Sequence, residues 1–191
     1  MFELATIIAV SATFLVAGAV KGVIGLGLPT VSLAMLTVMI DLPTAMAILL
    51  VPSFVTNLWQ GVVGGHGLAI LRRIWPFLLM ATITVWFGAG ALTRIDLAYL
   101  STLFGLLLVI YGAVSLAGWS FAVRSSQEVW VGPLAGTING LLTGMTGSFV
   151  VPGVMYLQAL GLTRDQLVQA MGLSFAASTL ALAAALHGND L

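Results

Sequence analysis

Hydrophobic residues along this chain form long apolar runs separated by short polar breaks, near residues 4–40, 44–65, 74–92, 97–119, 129–160 and 166–186. About 20 apolar residues in a helix cross a hydrocarbon core about 30 Å thick, so each run predicts at least one membrane-spanning helix. Drawn as one helix, 4–40 would be about 55 Å long, so it must break. The interruption is written in its middle as Lys21-Gly22-Val23-Ile24-Gly25-Leu26-Gly27-Leu28-Pro29, where glycine relaxes the backbone and proline withholds an N–H. The run 129–160 is also too long. It carries its own interruption at Gly144-Met145-Thr146-Gly147-Ser148 and Val151-Pro152-Gly153.

The two interrupted runs align. Ala17-Gly18-Ala19-Val20-Lys21-Gly22-Val23-Ile24 matches Ala135-Gly136-Thr137-Ile138-Asn139-Gly140-Leu141-Leu142, with Lys21 opposite Asn139. Leu42-Pro43-Thr44 further on matches Leu162-Thr163-Arg164. The pattern predicts an all-α membrane protein, a polytopic helical bundle forming a single transmembrane domain over 1–191. It would hold two related repeats, 4–119 and an incomplete 129–191, each containing a broken helix. Paired interrupted helices at corresponding places are the sequence mark of a secondary transporter, in which half-helix ends build a site near the midplane. If 4–40 crosses once, the repeats are parallel; if it crosses twice, as a hairpin, they are inverted.

Composition reinforces the membrane reading. Hydrophobic residues make up 60% of the chain and charged residues 6%, against about 25% charge in soluble domains, and mean hydropathy is +1.15. Net charge is zero, which provides no basic footprint for nucleic acid. Cysteine is absent, which excludes disulfides and thiolate metal sites, and neither a metal nor a cofactor is expected. The start of the chain has no Lys or Arg before Lys21, unlike a secretory signal, and reads as the first membrane helix. By the positive-inside rule Arg72-Arg73 and Arg124 mark cytoplasmic loops, with Arg94 and Asp96 on the other side.

Lys21 is the one charge inside an apolar run, and an ionisable residue there suggests a functional site by default. It is also near enough to the end of its helix to snorkel to the interface. Gly22, Gly25, Gly27, Gly144 and Gly147 lie at the breaks, where freed backbone N–H groups can face an anion. Gly18 with Gly22, and Gly136 with Gly140 and Gly144, have the four-residue spacing that lets helices approach closely. Ser53, Asn57 and Gln60 form one helical stripe facing the bundle, able to line a path or tie helices together. Asn139, Thr143, Thr146 and Ser148 cluster around the second break and offer neutral donors to an oxyanion, with Gln166, Gln169 and Ser174 as a weaker polar face. His66 and His187 sit beside glycines at helix ends and read as loop residues. With no acid or histidine within a run, the paired groups that an intramembrane enzyme needs are missing, and enzymatic activity is not expected.

Gly18-Ala19-Val20-Lys21-Gly22-Val23-Ile24-Gly25-Leu26-Gly27-Leu28-Pro29 and Gly140-Leu141-Leu142-Thr143-Gly144-Met145-Thr146-Gly147-Ser148-Phe149-Val150-Val151-Pro152 resemble the signatures of the TauE/SafE sulfite-exporter family. Leu157-Gln158-Ala159-Leu160-Gly161-Leu162 and Gln169-Ala170-Met171-Gly172-Leu173-Ser174-Phe175 extend the resemblance. It implies a multi-pass transporter of sulfite, sulfonates or related small anions in the bacterial inner membrane, commonly with about eight helices in two halves. The expected site set is Lys21, Gly22, Gly25, Gly27, Asn57, Asn139, Thr143, Gly144, Thr146, Gly147 and Ser148. The expected partners are the lipid bilayer, a small anionic substrate, and a homo-oligomeric copy or partner subunit. The second repeat lacks counterparts of 74–92 and 97–119, which makes the chain either part of a longer transporter or a subunit completed by another chain. The competing function is therefore a non-catalytic membrane subunit or scaffold.

Overall fold

A computed structural model describes residues 4–119 and 121–189, and every regular element among them is helical. The order is α1 (Leu4–Ile24), α2 (Leu28–Leu36), α3 (Leu42–Val62), α4 (Gly67–Ala89), α5 (Leu97–Leu116), α6 (Glu128–Thr146), α7 (Gly153–Ala159) and α8 (Arg164–Gly188). Five of these, α1, α3, α4, α5 and α8, are long and apolar enough to cross a membrane. Glu3 and Asp190 lie outside the described residues.

Both long runs are interrupted where glycine and proline mark them. The first break is Gly25–Gly27, where Gly27 takes φ 117° at the N-cap of α2 with Pro29 in the first turn. The second runs from 147 to 152 and begins at Gly147, whose φ of 70° ends α6. These are left-handed values that side chains with a Cβ adopt only with strain. Gly22 and Gly144 lie inside α1 and α6 rather than in the breaks.

Contacts fix the direction of each helix. Gly61 of α3 faces Gly172 of α8, and Ser53 faces Thr179, so these two run antiparallel. Gly136, Gly140 and Gly144 of α6 meet Phe77, Ala81 and Val85 of α4 in that order, so α4 and α6 run in the same sense. Val10 and Ile48 line one cavity and Lys21 reaches Asn57, so α1 runs with α3. After α6 the chain turns back: Gly153 N–H meets Asn139 midway along α6, and Val123 N–H bonds Ala159 O beyond the start of α6. The chain α1–α2 folds back likewise, since Gly27 lies beside Val20 and Leu33 beside Met46 near the start of α3. Each interrupted run is therefore a hairpin, and the two hairpins point in opposite senses.

The end at which α3 stops and α4, α6 and α8 start carries Arg72, Arg73, Arg124 and Arg164 and is here termed the basic end. Run 74–92 begins earlier than its hydropathy suggests, at Gly67, so Arg72 and Arg73 lie within α4 rather than in a loop. They fit there because both are exposed near the helix start, where long side chains reach the interface. Arg73 also makes a two-pronged ion pair with Glu128, Nη2 to Oε1 at 2.6 Å and Nε to Oε2 at 2.9 Å, and donates to Leu160 O at 2.9 Å. That one side chain fastens α4, α6 and the end of α7 together.

The tightest seam is α4 on α6. A Cβ at Gly136 would collide with Phe77 O, at Gly140 with Ala81 O and Thr84 Oγ1, and at Gly144 with Val85 O, so the two backbones touch directly. This matches the packing role that small residues have in membranes, where lipid is as apolar as leucine and close approach supplies the attraction. Gly140→Leu should lower unfolding stability in detergent by about 1–3 kcal/mol, the usual cost of overpacking, as read by thermal melting.

Asp41 caps α3, accepting from Thr44 N–H at 2.9 Å and from Thr44 Oγ1 at 2.8 Å. The bond from the Thr44 backbone, aided by its hydroxyl, holds the carboxyl below its ordinary value of 3.8. A depressed carboxylate stabilises the fold above its unfolded pKa and loses that contribution as pH falls through the folded value. Asp41→Ala should cost about 0.5–2 kcal/mol at neutral pH, and the gap from the parent should close in melts taken below that folded value.

Candidate functional site

Lys21 lies three residues before the end of α1, and nine-tenths of it is buried. Its Nζ donates to Asn57 Oδ1 and, at 3.2 Å, to Thr56 Oγ1. Asn57 is fully enclosed and passes the network on, Nδ2 donating to Ser53 Oγ at 3.0 Å, which lies 3.4 Å from Thr179 Oγ1 on α8. The Ser53–Asn57 part of the predicted stripe thus ties α1, α3 and α8 together.

An ammonium has three donors, and two have protein partners here. Neither partner is charged, and among the described residues the one ion pair is Arg73 with Glu128 at the basic end. Lys21 also lines a cavity of about 510 Å³ together with Gly22, Gly25, Thr56, Trp59 and Gln60. A Cβ built at Gly18 or Gly22 would meet nothing within 4 Å. These two glycines therefore open onto the cavity instead of seating another helix, contrary to the close-approach role their spacing suggests.

Gln60 completes this wall and pins the first break. Its Nε2 donates to Gly25 O at 2.8 Å and to Val168 O at 2.6 Å, joining the break to both α3 and α8. Gln169 does the same at the basic end, donating to Gly61 O at 2.9 Å and accepting from His66 N–H at 3.0 Å. His66 is an exposed residue at the start of α4, as its setting in the sequence suggests.

The second break is braced from within. Asn139 Oδ1 accepts from Gly153 N–H at 3.0 Å, and Thr143 Oγ1 donates to Ser148 O at 2.8 Å. Thr146 Oγ1 donates to Leu142 O at 2.7 Å and receives Ser148 N–H at 3.2 Å. Asn139, Thr143 and Thr146 thus satisfy backbone groups that the break frees. Two enclosed hydroxyls in this half, Ser148 Oγ and Ser174 Oγ, have no partner.

The residues expected to share one site fall into two groups. Lys21, Gly22 and Gly25 line the cavity, Asn57 stands behind it as the buried acceptor of Lys21, and Gly27 lies just beyond as the cap of α2. Asn139, Thr143, Thr146, Gly147 and Ser148 gather around the second break, where Gly147 rests on Leu33 and Met46, near the other end of α3. Gly144 belongs to neither group, because it packs on α4. Thr56, Trp59 and Val168 line the cavity without having been expected at the site. Thr56 lies three residues after Ser53 and four before Gln60, so helical spacing could have marked it, whereas nothing local marks an aliphatic residue over one hundred positions away as a neighbour.

Interrupted hairpins packed among apolar helices long enough to span a membrane, with an ammonium on a cavity wall and no acid beside it among the described residues, define an all-helical membrane protein. The sequence profile of the sulfite exporter TauE/SafE family matches residues 10–190, and the chain belongs to that family. The family is described as one of sulfite exporters, that is, of membrane transporters. No curated protein and no solved structure matches it.

An unpaired buried hydroxyl is costly to keep. Ser148→Ala and Ser174→Ala should leave melting in detergent unchanged or raise stability by up to about 1 kcal/mol. Lost transport at undiminished stability in either variant would mark that hydroxyl as a contact for substrate.

Proposed function

We propose that this chain is a secondary transporter that moves a small anion, such as sulfite, a sulfonate or a related organic or sulfur-containing anion, across the bacterial inner membrane. The observation that carries the proposal is Lys21: an ammonium within a membrane helix, held by two neutral acceptors and facing a cavity, with no carboxylate beside it among the described residues. An anion entering the membrane loses hydration and needs compensating donors. Lys21 supplies the charge, and Thr56 and Gln60 supply polar neighbours on the same wall.

The two halves act as inverted repeats, α1–α2–α3 and α6–α7–α8. Support comes from the paired sequence segments and from two interrupted hairpins running in opposite senses. Four arginines gather at the basic end, which the positive-inside rule assigns to the cytoplasm. The Lys21 cavity reaches Gln60 and Val63 near that end, so substrate loads from the cytoplasm. Outward uniport is then driven by the inside-negative potential, worth about 2.3 kcal/mol per unit charge per 100 mV.

The test is flux through proteoliposomes holding the purified chain, under an imposed potential, with sulfite, a sulfonate, acetate and sulfate compared. Lys21→Ala should reduce flux about tenfold or more, equivalent to about 1.4 kcal/mol, while the protein remains folded and inserted. Lys21→Arg should keep part of it, since charge survives although a planar fork replaces a compact ammonium. Equal loss in both variants would mean packing, and normal flux in Lys21→Ala would end the anchor role. The open glycine face of α1 favours a second reading, a subunit that transports only with a partner; flux appearing only after a partner is added would establish it.

A further inference from the structure

Both protein partners of Lys21 face it as acceptors, and for different reasons. A hydroxyl has one proton and an amide has two unlike ends, so the direction of each bond follows from where the protons are spent. Thr56 spends its proton within its own helix, Oγ1 donating to Pro52 O at 2.8 Å, which leaves a lone pair for Lys21. Asn57 carries both an oxygen and an NH2 group, and its surroundings must decide which of them meets the ammonium.

The decision comes from α8. Thr179 Oγ1 lies 2.6 Å from Phe175 O, a carbonyl that only accepts, so the Thr179 proton is spent there. Ser53 Oγ, 3.4 Å from Thr179 Oγ1, is therefore the donor of that pair. With its own proton committed, Ser53 can only accept from Asn57, whose Nδ2 lies at 3.0 Å. The amide oxygen is left facing Lys21 Nζ. Ser53, Asn57 and Thr179 are each at most 1% exposed, so water has no access to reverse the order. Every bond runs one way, from the ammonium to a backbone carbonyl of α8.

We infer that Ser53 and Thr179 are positioning residues for Lys21, which they never touch: they fix the end of the Asn57 amide that it meets. Without the Thr179 hydroxyl, Ser53 is free to donate to Asn57 Oδ1 and to turn the NH2 group toward the ammonium, where donor opposes donor. One hold on Lys21 is set inside α3 and the other by a helix whose residue lies 126 positions from Ser53. The consequence for transport rests on the transporter reading; the orientation of Asn57 does not.

Lys21 is the sole lysine of the chain, so reductive methylation of the purified protein in detergent reports on it once the N-terminal amine is separated by peptide mass. Its nitrogen must leave its acceptors to react. Thr179→Val, which trades the hydroxyl for a methyl, and Ser53→Ala should each speed methylation of Lys21 about two- to tenfold, the worth of one hydrogen bond. Thr179→Ser keeps the hydroxyl and should match the parent. Thr84→Val removes a bond from α4 to Thr137 O on α6 that is no part of this chain of donors, and should leave the rate unchanged. A parent-like rate in Thr179→Val and Ser53→Ala, an equal gain in Thr84→Val, or no rescue by Thr179→Ser would each overturn the inference. In proteoliposomes, flux should fall about two- to tenfold in the same two variants and return in Thr179→Ser. Faster methylation in the variants of a protein whose parent moves no anion would uphold the positioning role and count against the transport proposal alone.

Discussion

Backbone N–H and C=O groups that leave a helix inside hydrocarbon find no water, so any break in a membrane helix must be answered by other parts of the protein. This chain breaks twice, and side-chain amides and hydroxyls answer both times. Gln60 takes up Gly25 O at the first break; Asn139, Thr143 and Thr146 take up Gly153 N–H, Ser148 O and Ser148 N–H at the second. Much of the polar inventory enclosed in the bundle is spent on this duty. Lys21 stands apart because its partners are side chains, not backbone, and because it keeps access to a cavity.

From this constraint follows the division of labour between the halves. The second hairpin is closed: its glycines lie against α4, its break is hydrogen-bonded to itself, and Arg73 fastens its ends. The first is open: α1 makes its extensive contacts with α2 alone, and Gly18 and Gly22 face a groove. Charge sits on the open half, where Lys21 replaces the position that Asn139 holds in the closed one. A neutral amide suffices to brace a break, whereas an ammonium in the same aligned position can attract a charged solute.

Much of the fold was legible because glycine and proline act locally. Gly25, Gly27, Gly147 and Pro152 mark the interruptions directly, and the four-residue spacing of Gly136, Gly140 and Gly144 marks a close helix contact. The same spacing at Gly18 and Gly22 misled, since spacing shows that a helix can approach but not whether one is present. The start of α4 was obscured by Arg72 and Arg73, whose long side chains permit charges within a helix near its end. Hairpin against single crossing could not be read at all, because composition is blind to direction. The expected site residues gather in two places for a similar reason: partners such as Val168 are set by tertiary packing, not by anything local in the chain.

The bond from Gln60 to Val168 O has a consequence for how the protein is made. These residues are 108 positions apart, and synthesis at about 5–20 residues per second separates their emergence by roughly 5–20 seconds. During that interval α3 is in or beside the membrane with Ser53 and Gln60 deprived of their partners on α8. Insertion cannot be a sequence of independently satisfied hairpins; the early helices must wait in a hydrated or chaperoned setting until the last one arrives. Arrest of translation before α8 should therefore leave a nascent chain that the cell's membrane proteases recognise as unfinished.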